Sequence, residues 1–247
     1  MLKIGVGPSS SHTLGPWRAS ERWIRELKDS KKFDLVEEIT INLYGSLSLT
    51  GVGHATDLAT VLGLLGYDPV TIPVENIDPE INNLKTFNRL NLNGERSIDF
   101  DLENDVVFNK KFLPFHPNGM KFTARLQNGK TTSSTFYSIG GGFVVKEERK
   151  NAKKQLEKFK QFPFPIVKGT DLAAFCEQEG KKISEIVYEN EKSLRTEAEI
   201  DAGLKTIWNV LLESMYLGCH TEGTPPAGLN VRRMSPDSHK KLIGEQN

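Results

Sequence analysis

Cysteine, net charge and long hydrophobic runs are all scarce in this chain. Two cysteines among 247 residues are too few for a disulfide framework, which agrees with a reducing compartment. Basic and acidic side chains balance at 32 each, so the sequence predicts no electrostatic attraction to nucleic acid or to an anionic membrane. No apolar run approaches the roughly 18–20 residues of a membrane span, and the first residues show no signal-peptide pattern. We therefore expect a cytoplasmic protein without nucleic-acid or membrane partners.

Short motifs for metals and nucleotides are also missing. Cys176 and Cys219 lie far apart in the sequence, whereas metal and cluster sites group their ligands at short spacings. Cys176 follows Leu172 at helical spacing, which favours a buried structural role. No Walker loop, dinucleotide fingerprint or nucleophile elbow occurs. The sequence therefore predicts no metal site within this chain.

A hydroxyl-rich stretch lies close to the start of the chain, at residues 5–13. A glycine and proline turn comes first, and Pro16 then marks the first turn of a helix. Because helix N-termini carry unpaired N–H groups and partial positive charge, this arrangement suits a small anion, although a serine run before a helix is more often a simple N-cap. The polar side chains of the stretch belong to Ser9, Ser10, Ser11, His12 and Thr13.

Two further histidines lie in glycine-containing turns. His54 belongs to GVGHATD, residues 51–57, and His116 belongs to PFHPNGM, residues 114–120. A single loop histidine is more often structural, but three such loops in one domain indicate general acid–base chemistry on a small polar substrate. The candidate catalytic residues are His12, His54 and His116.

Hydrophobic periodicity predicts an α+β fold in the first part of the chain, with a mixed or antiparallel sheet. One helix is expected over residues 16–28 with Trp17, Ile24 and Leu27 facing inward. A strand alternates through residues 39–43 and continues to Gly51, and a second helix ends at Gly66.

A hairpin and a glycine run complete this part. Strands over residues 120–126 and 131–139 flank Asn128-Gly129, a strong hairpin signal. Residues 72–109 are expected to be irregular, with short strands at 97–102 and 106–108. The second hairpin strand ends in three glycines that allow a ligand close to the backbone, namely Gly140, Gly141 and Gly142.

The sequence becomes charged and then helical after residue 145. Thr196 and Glu199 form a capping box before a helix with Ile200, Leu204, Ile207, Leu211 and Met215 at spacings of four and three. We predict a first domain over residues 1–150, an all-α segment over 165–222 and a linker or truncated tail over 223–247.

Four separate motifs in this chain resemble one enzyme family. They are GVGPSSSHTLGP (5–16), YGSLSLTGVGHATD (44–57), PFHPNGM (114–120) and YSIGGGF (137–143). In this order, they resemble the N-terminal beta half of the bacterial iron–sulfur L-serine dehydratases, or L-serine ammonia-lyases. The helical stretch and Thr221-Glu222-Gly223 resemble, more weakly, the beginning of the alpha half of that family.

The resemblance implies a lyase of amino-acid metabolism and gluconeogenesis. Such an enzyme converts L-serine to pyruvate and ammonia without pyridoxal phosphate, using a [4Fe–4S] cluster that takes the substrate hydroxyl on one iron. The beta domain of the family resembles the allosteric substrate-binding domain of some phosphoglycerate dehydrogenases. The cysteine-rich alpha domain that holds the cluster is expected outside this chain, so the chain alone is expected to be inactive. We also expect a homodimer.

Elimination of water from serine needs a held carboxylate and a positioned base, which gives a hypothesis for roles within the beta domain. The serine stretch with Thr13 holds the substrate carboxylate, the three histidines are candidates for the base that removes the α-proton, with His54 slightly favoured, and the glycine run approaches the ligand or the neighbouring domain. The alternative is an isolated serine- or anion-binding regulatory domain without activity. A purely structural α+β domain explains the fold but not three histidine loops.

Overall fold

A computed structural model describes residues 3–147, 162–224 and 231–244, which belong to two compact units. The first unit contains residues 3–147 and the described residues from 221 onward, and the second contains residues 162–220. The predicted domain boundary, at residues 150–165, falls mostly outside the described residues, and so does part of the predicted linker.

In the described part of the first unit, seven strands form two sheets. They are β1 (Val36–Tyr44), β2 (Arg89–Leu92), β3 (Arg96–Asp99), β4 (Val106–Asn109), β5 (Gly119–Leu126), β6 (Thr131–Ser138) and β7 (Val144–Lys146). The main sheet has the order β4-β1-β5-β6-β7, in which β1 and β4 are parallel and the other neighbours are antiparallel. The other two strands, β2 and β3, form a separate hairpin. This mixed sheet with its helices confirms the predicted α+β class.

Helices account for about half of the described residues. Those in the described residues are α1 (Gly15–Asp29), α2 (Ser46–Leu49), α3 (Thr56–Leu65), α4 (Ile77–Phe87), α5 (Leu102–Asp105), α6 (Gly169–Glu179), α7 (Ile183–Lys192), α8 (Glu197–His220) and α9 (Ser235–Ile243). Helix α1 packs against α3 and against strands β6 and β7. Short 3₁₀ or π turns precede several of these elements. None of the described helices is long and apolar enough to cross a membrane.

Aromatic rings occupy the centre of the first unit. Phe122 in β5 stacks on Trp23 of α1 with a centroid distance of 5.2 Å, and it meets Phe136 of β6 edge-on at 5.8 Å. All three side chains are fully buried. The inward face predicted for α1 is confirmed, because its three members, Trp17, Ile24 and Leu27, are also buried. The sheet and α1 therefore share one core.

Several boundaries follow the sequence prediction closely. Helix α1 and strand β1 lie where the periodicity places them, and Gly66 ends α3 with a φ of 91°. The Asn128-Gly129 turn joins β5 to β6, with the Leu126 N–H donating to the Lys130 carbonyl at 2.8 Å. These elements are encoded by local patterns, which is why sequence reasoning finds them.

Two predictions for the first unit are wrong. Strand β1 does not continue to Gly51, because Gly45 adopts a φ of 57° and turns the chain into α2. A Cβ at Gly45 would collide with the Pro117 carbonyl oxygen, so this turn requires glycine. Residues 72–109 are not mainly irregular, since they contain α4 and the β2–β3 hairpin. Helix α4 buries only Ile81 and Leu84, too narrow an apolar stripe to stand out in the sequence.

In the second unit, the described residues 162–220 contain helices and no strand, as predicted for this all-α segment. The capping box is confirmed: the Thr196 N–H donates to Glu199 Oε2 at 2.8 Å and the Glu199 N–H donates to Thr196 Oγ1 at 3.4 Å. Ile200 is buried, whereas Leu204, Leu211 and Met215 of the same helix are exposed. In the predicted linker, the described residues include the short helix α9.

The aromatic core gives a stability prediction. Phe122→Ala is expected to lower the free energy of unfolding by about 3–5 kcal/mol, because it removes a fully buried ring from between Trp23 and Phe136. Phe87→Ala makes the same chemical change at a side chain that is 68% exposed and should shift stability by no more than about 0.5 kcal/mol. Urea unfolding measures both, and equal losses would contradict this description of the core.

Candidate active site

The hydroxyl-rich stretch forms a turn of π-helix instead of the expected loop. Ser10–Leu14 lead directly into α1, and Ser9 is the N-cap. The Ser9 hydroxyl accepts from the His12 N–H at 3.1 Å. The Ser9 carbonyl accepts from the N–H groups of Thr13 and Leu14. In the part of the chain that is described, the N–H groups of Ser10 and Ser11 stay unpaired. Two backbone donors therefore remain for an anion at this turn.

Two threonine hydroxyls join this turn to the loop that carries His54. Thr13 Oγ1 donates to the carbonyl of His54 at 3.0 Å, and Thr56 Oγ1 donates to the carbonyl of His12 at 2.7 Å. Both threonines are buried. The exchange brings the two imidazole rings to a centroid distance of 4.9 Å with an interplanar angle of 36°. The structure thus unites two of the three predicted histidines.

The His12 ring is held from both sides by hydroxyl groups. Its Nδ1 lies 2.9 Å from Ser11 Oγ and its Nε2 lies 3.0 Å from Ser46 Oγ. Partial burial lowers the pKa of His12 below its ordinary value of 6.5, and the charge of His54 lowers it further, while the hydrogen bond to Ser46 acts in the opposite direction. His12 is therefore biased toward the neutral form.

His54 has a different arrangement. Its Nδ1 lies 2.8 Å from the Thr50 carbonyl oxygen, which can only accept, so Nδ1 carries the proton. In the neutral ring Nε2 then has a lone pair, and no hydrogen bond to another described residue occupies it. Ala55, the next residue, adopts a φ of 51°, a strained conformation for a residue with a Cβ. This backbone geometry places the His54 loop at the start of α3.

The short helix α2 was missed by the sequence prediction, although it contacts all three histidine loops. Ser46 contacts His12, and Thr50, just after the helix, contacts His54. The N–H of Ser46 also donates to the carbonyl of Pro117 at 2.9 Å, which anchors the turn with His116. The turn into α2 depends on a positive φ at Gly45, and a Tyr-Gly-Ser sequence by itself does not reveal that conformation.

His116 lies apart from the histidine pair as far as the described contacts show. Its Nδ1 accepts from the Asn118 N–H at 3.1 Å, so a neutral ring carries its proton on Nε2. Among the described residues its ring makes no hydrogen bond or ring contact with His12 or His54. The connection between His116 and the pair is through the backbone of α2.

The glycine run after β6 closes on itself beside the serine turn. Gly140, Gly141 and Gly142 all have positive φ, at 95°, 58° and 69°. A Cβ on Gly142 would lie 2.6 Å from Leu14 Cδ2, whereas a Cβ on Gly140 would meet no atom within 4 Å. The run therefore packs on the end of the π turn through Gly142 and leaves the backbone at Gly140 open to a ligand.

The described residues do not fit an iron–sulfur cluster. They contain no group of three or more His, Cys, Asp or Glu side chains that suits a metal ion. Cys176 on α6 and Cys219 on α8 are free thiols. Cys176, expected to be buried, is partly exposed. No step of the chemistry below is therefore assigned to a cluster.

The first unit is an α+β domain with a mixed sheet, and its loops carry one polar site formed by His12 and His54 beside the π turn. Residues 1–149 match the family described as serine dehydratase beta chain, and the chain belongs to this family.

Curated relatives resemble the whole chain. It is 38% identical to L-serine dehydratase TdcG of Escherichia coli (strain K12) over 248 residues, which are 100% of this chain and 54% of the relative. It is 36% identical to an L-serine dehydratase of Haemophilus influenzae over 249 residues, which are 100% of this chain and 54% of that relative. A Streptomyces coelicolor L-serine dehydratase is 38% identical over 99% of this chain and 54% of its own length. The chain thus spans about half the length of these relatives.

The interaction between the two rings predicts a pKa change. His54→Gln removes the charge that lowers the pKa of His12, so this pKa should rise toward 6.5 but stay below it, because burial is the larger cause and persists. Ring-nitrogen NMR titration measures the value, and His220→Gln on α8 provides the control. An unchanged or lower His12 pKa in His54→Gln would show that the rings do not interact in solution.

Proposed function

We propose that this chain supplies the serine-binding and proton-transferring part of an L-serine dehydratase. The reaction removes water across the Cα–Cβ bond of L-serine, and water then hydrolyses the imine tautomer of the resulting enamine to pyruvate and ammonia. The observation that carries the proposal is the His12–His54 pair, whose rings lie 4.9 Å apart beside the unpaired N–H groups of Ser10 and Ser11. The names of the relatives support the same substrate.

The π turn is suited to the substrate carboxylate. Two N–H groups are unpaired there, and the exposed Ser10 hydroxyl has no partner among the described residues. Ser9 and Ser11 are partly exposed and their hydroxyls lie 3.4 Å apart. Thr13 is buried and its hydroxyl already donates to the His54 carbonyl, so we assign it a positioning role. Gly142 of the glycine run packs on Leu14 at the end of the same turn.

His54 is the base in this proposal. The Cα–H bond breaks, the proton moves to Nε2, and the electron pair forms the Cα=Cβ bond as the Cβ–O bond breaks. The oxygen leaves as hydroxide, which together with the proton held on Nε2 makes the water that is lost. The Thr50 carbonyl keeps the proton of the resting ring on Nδ1, which leaves Nε2 basic. His12 is neutral and held between two hydroxyls, so it orients the substrate. His116 has no part in this step, because its ring accepts from the Asn118 N–H within its own turn.

Exposed apolar side chains around the site support a protein partner. They lie on the loops that carry the histidines and glycines, and each is 46% to 68% exposed; they are Leu49, Val52, Phe112, Phe115, Ile139 and Phe143. Apolar side chains grouped around a polar site are typical of a covered interface. We assign this rim to the cluster-bearing alpha domain that the resemblance implies, with its [4Fe–4S] ligands outside this chain, in a homodimeric enzyme.

The second candidate function is a serine- or anion-binding regulatory domain. It is supported by the unpaired N–H groups of Ser10 and Ser11, which suit an anion whether or not a proton is transferred. The two functions share the π turn as ligand site, but only the first requires His54 to move a proton.

Turnover separates the two functions. The assay uses enzyme assembled from this chain and the polypeptide that covers the rest of the relatives' length, with its cluster intact. His54→Gln should lower kcat by at least about tenfold, within the loss expected for an acid–base group. His220→Gln is the matched control and should keep full turnover. Full turnover in His54→Gln would remove His54 from the chemistry and leave the regulatory function favoured.

Binding of L-serine to the chain itself tests the ligand site. Calorimetry should detect binding, and Ser10→Ala should weaken it at least about tenfold through loss of one hydrogen bond to a charged group. Ser133→Ala, at an exposed serine on β6, is the matched control. Equal affinities for the two variants would show that the π turn does not hold the carboxylate.

A further inference from the structure

A mostly apolar groove borders the π turn, separate from the histidine rings. Its volume is about 450 Å³, which lies within the usual range of small-molecule pockets. Neither His12 nor His54 lines it. Its apolar wall consists of Val6, Trp17, Leu58, Leu62, Val74 and Ile77.

Two opposite charges also line this groove. Arg233, just before α9, has a buried Nε with no hydrogen-bond partner among the described residues. Asp78, in the first turn of α4, contributes a carboxylate. No ion pair joins these two side chains to each other. A buried guanidinium N–H without an acceptor is unfavourable, so this nitrogen points to an absent acceptor.

These features describe the chemistry of one ligand class. A carboxylate that approaches a guanidinium side-on accepts from Nε and one Nη together, which would satisfy the orphaned atom of Arg233. Asp78 offers an acceptor for an ammonium group. The apolar wall of the same groove suits a hydrocarbon side chain. We propose that this groove binds a free L-amino acid with an apolar side chain of about the size of leucine.

L-serine fits this groove poorly, so the proposal goes beyond the dehydratase function. Its hydroxyl group would be buried against hydrocarbon, which is costly without a hydrogen-bond partner. The groove nevertheless shares two residues with the histidine site. Thr13 lines it and donates to the His54 carbonyl, and Ala55 lines it directly after His54. A ligand in the groove would therefore contact the residues that position the base.

Calorimetric titration of the 247-residue chain with L-leucine tests the proposal. Two analogues keep the hydrocarbon and lose one charge: 4-methylpentanoate lacks the ammonium group and 3-methylbutylamine lacks the carboxylate. L-leucine should bind, and each analogue should bind at least about tenfold more weakly, since each loses a charge-assisted interaction.

Variants locate the binding. Arg233→Gln and Asp78→Asn should each weaken L-leucine binding at least about tenfold. Arg232→Gln is the matched control, because Arg232 pairs with Asp237 at 2.9 Å and does not line the groove. Glu75→Gln, an exposed change that also lies outside the lining, controls for Asp78→Asn. Thermal unfolding shows whether each variant is still folded. Because Asp78 is exposed, Asp78→Asn tests the groove even if Arg233→Gln destabilises the fold.

Three results would overturn the proposal: no binding of L-leucine, unchanged binding in both groove variants, or displacement of L-leucine by L-serine at similar concentration. The proposed dehydratase function fails on a different measurement. His54→Gln should leave L-leucine affinity unchanged, whatever its effect on serine turnover, because His54 does not line the groove.

Discussion

The candidate site depends on an exchange of two buried hydrogen bonds. Thr13 from the π turn donates to the carbonyl of His54, and Thr56 from α3 donates to the carbonyl of His12. Each histidine is thus fixed through its backbone by a side chain from the other loop. The rings make separate contacts, since His12 lies between Ser11 and Ser46 while His54 contacts Thr50 and keeps Nε2 open. Loss of either hydroxyl would leave a carbonyl unpaired near the core, at a cost of about 1–3 kcal/mol. The ring separation of 4.9 Å follows from this exchange.

The sheet explains why distant segments of the chain meet there. In the main sheet the end of β1 lies beside the start of β5, since Leu43 pairs with Met120, and the end of β6 lies beside the same start, since Tyr137 pairs with Gly119. The loops after β1, before β5 and after β6 therefore gather at one edge. They contribute α2, the His116 turn and the glycine run, while α1 brings the π turn to this edge through its contact with β6.

Local patterns in the sequence predict most of the elements but not the contacts that make the site. Helix α1, strand β1 and the β5–β6 hairpin have clear periodicity or turn signals, and the structure agrees. Helix α2 was hidden because Ser46–Leu49 alternates polar and apolar residues like a strand. The hydrogen bond between Ser46 and His12 joins residues 34 positions apart, and no local pattern encodes it. Grouping His116 with the pair rested on similar glycine turns, which say nothing about ring distances.

The most direct test of the account follows the imidazole rings while L-serine is added to the chain. Ring-resolved NMR should show the signals of His12 and His54 shifting together and saturating at one common ligand concentration, with the signal of His220 unchanged. That result is expected if both rings border one ligand site. Binding of L-serine by calorimetry with both ring signals unmoved, or shifts that saturate at clearly different concentrations, would contradict a shared site.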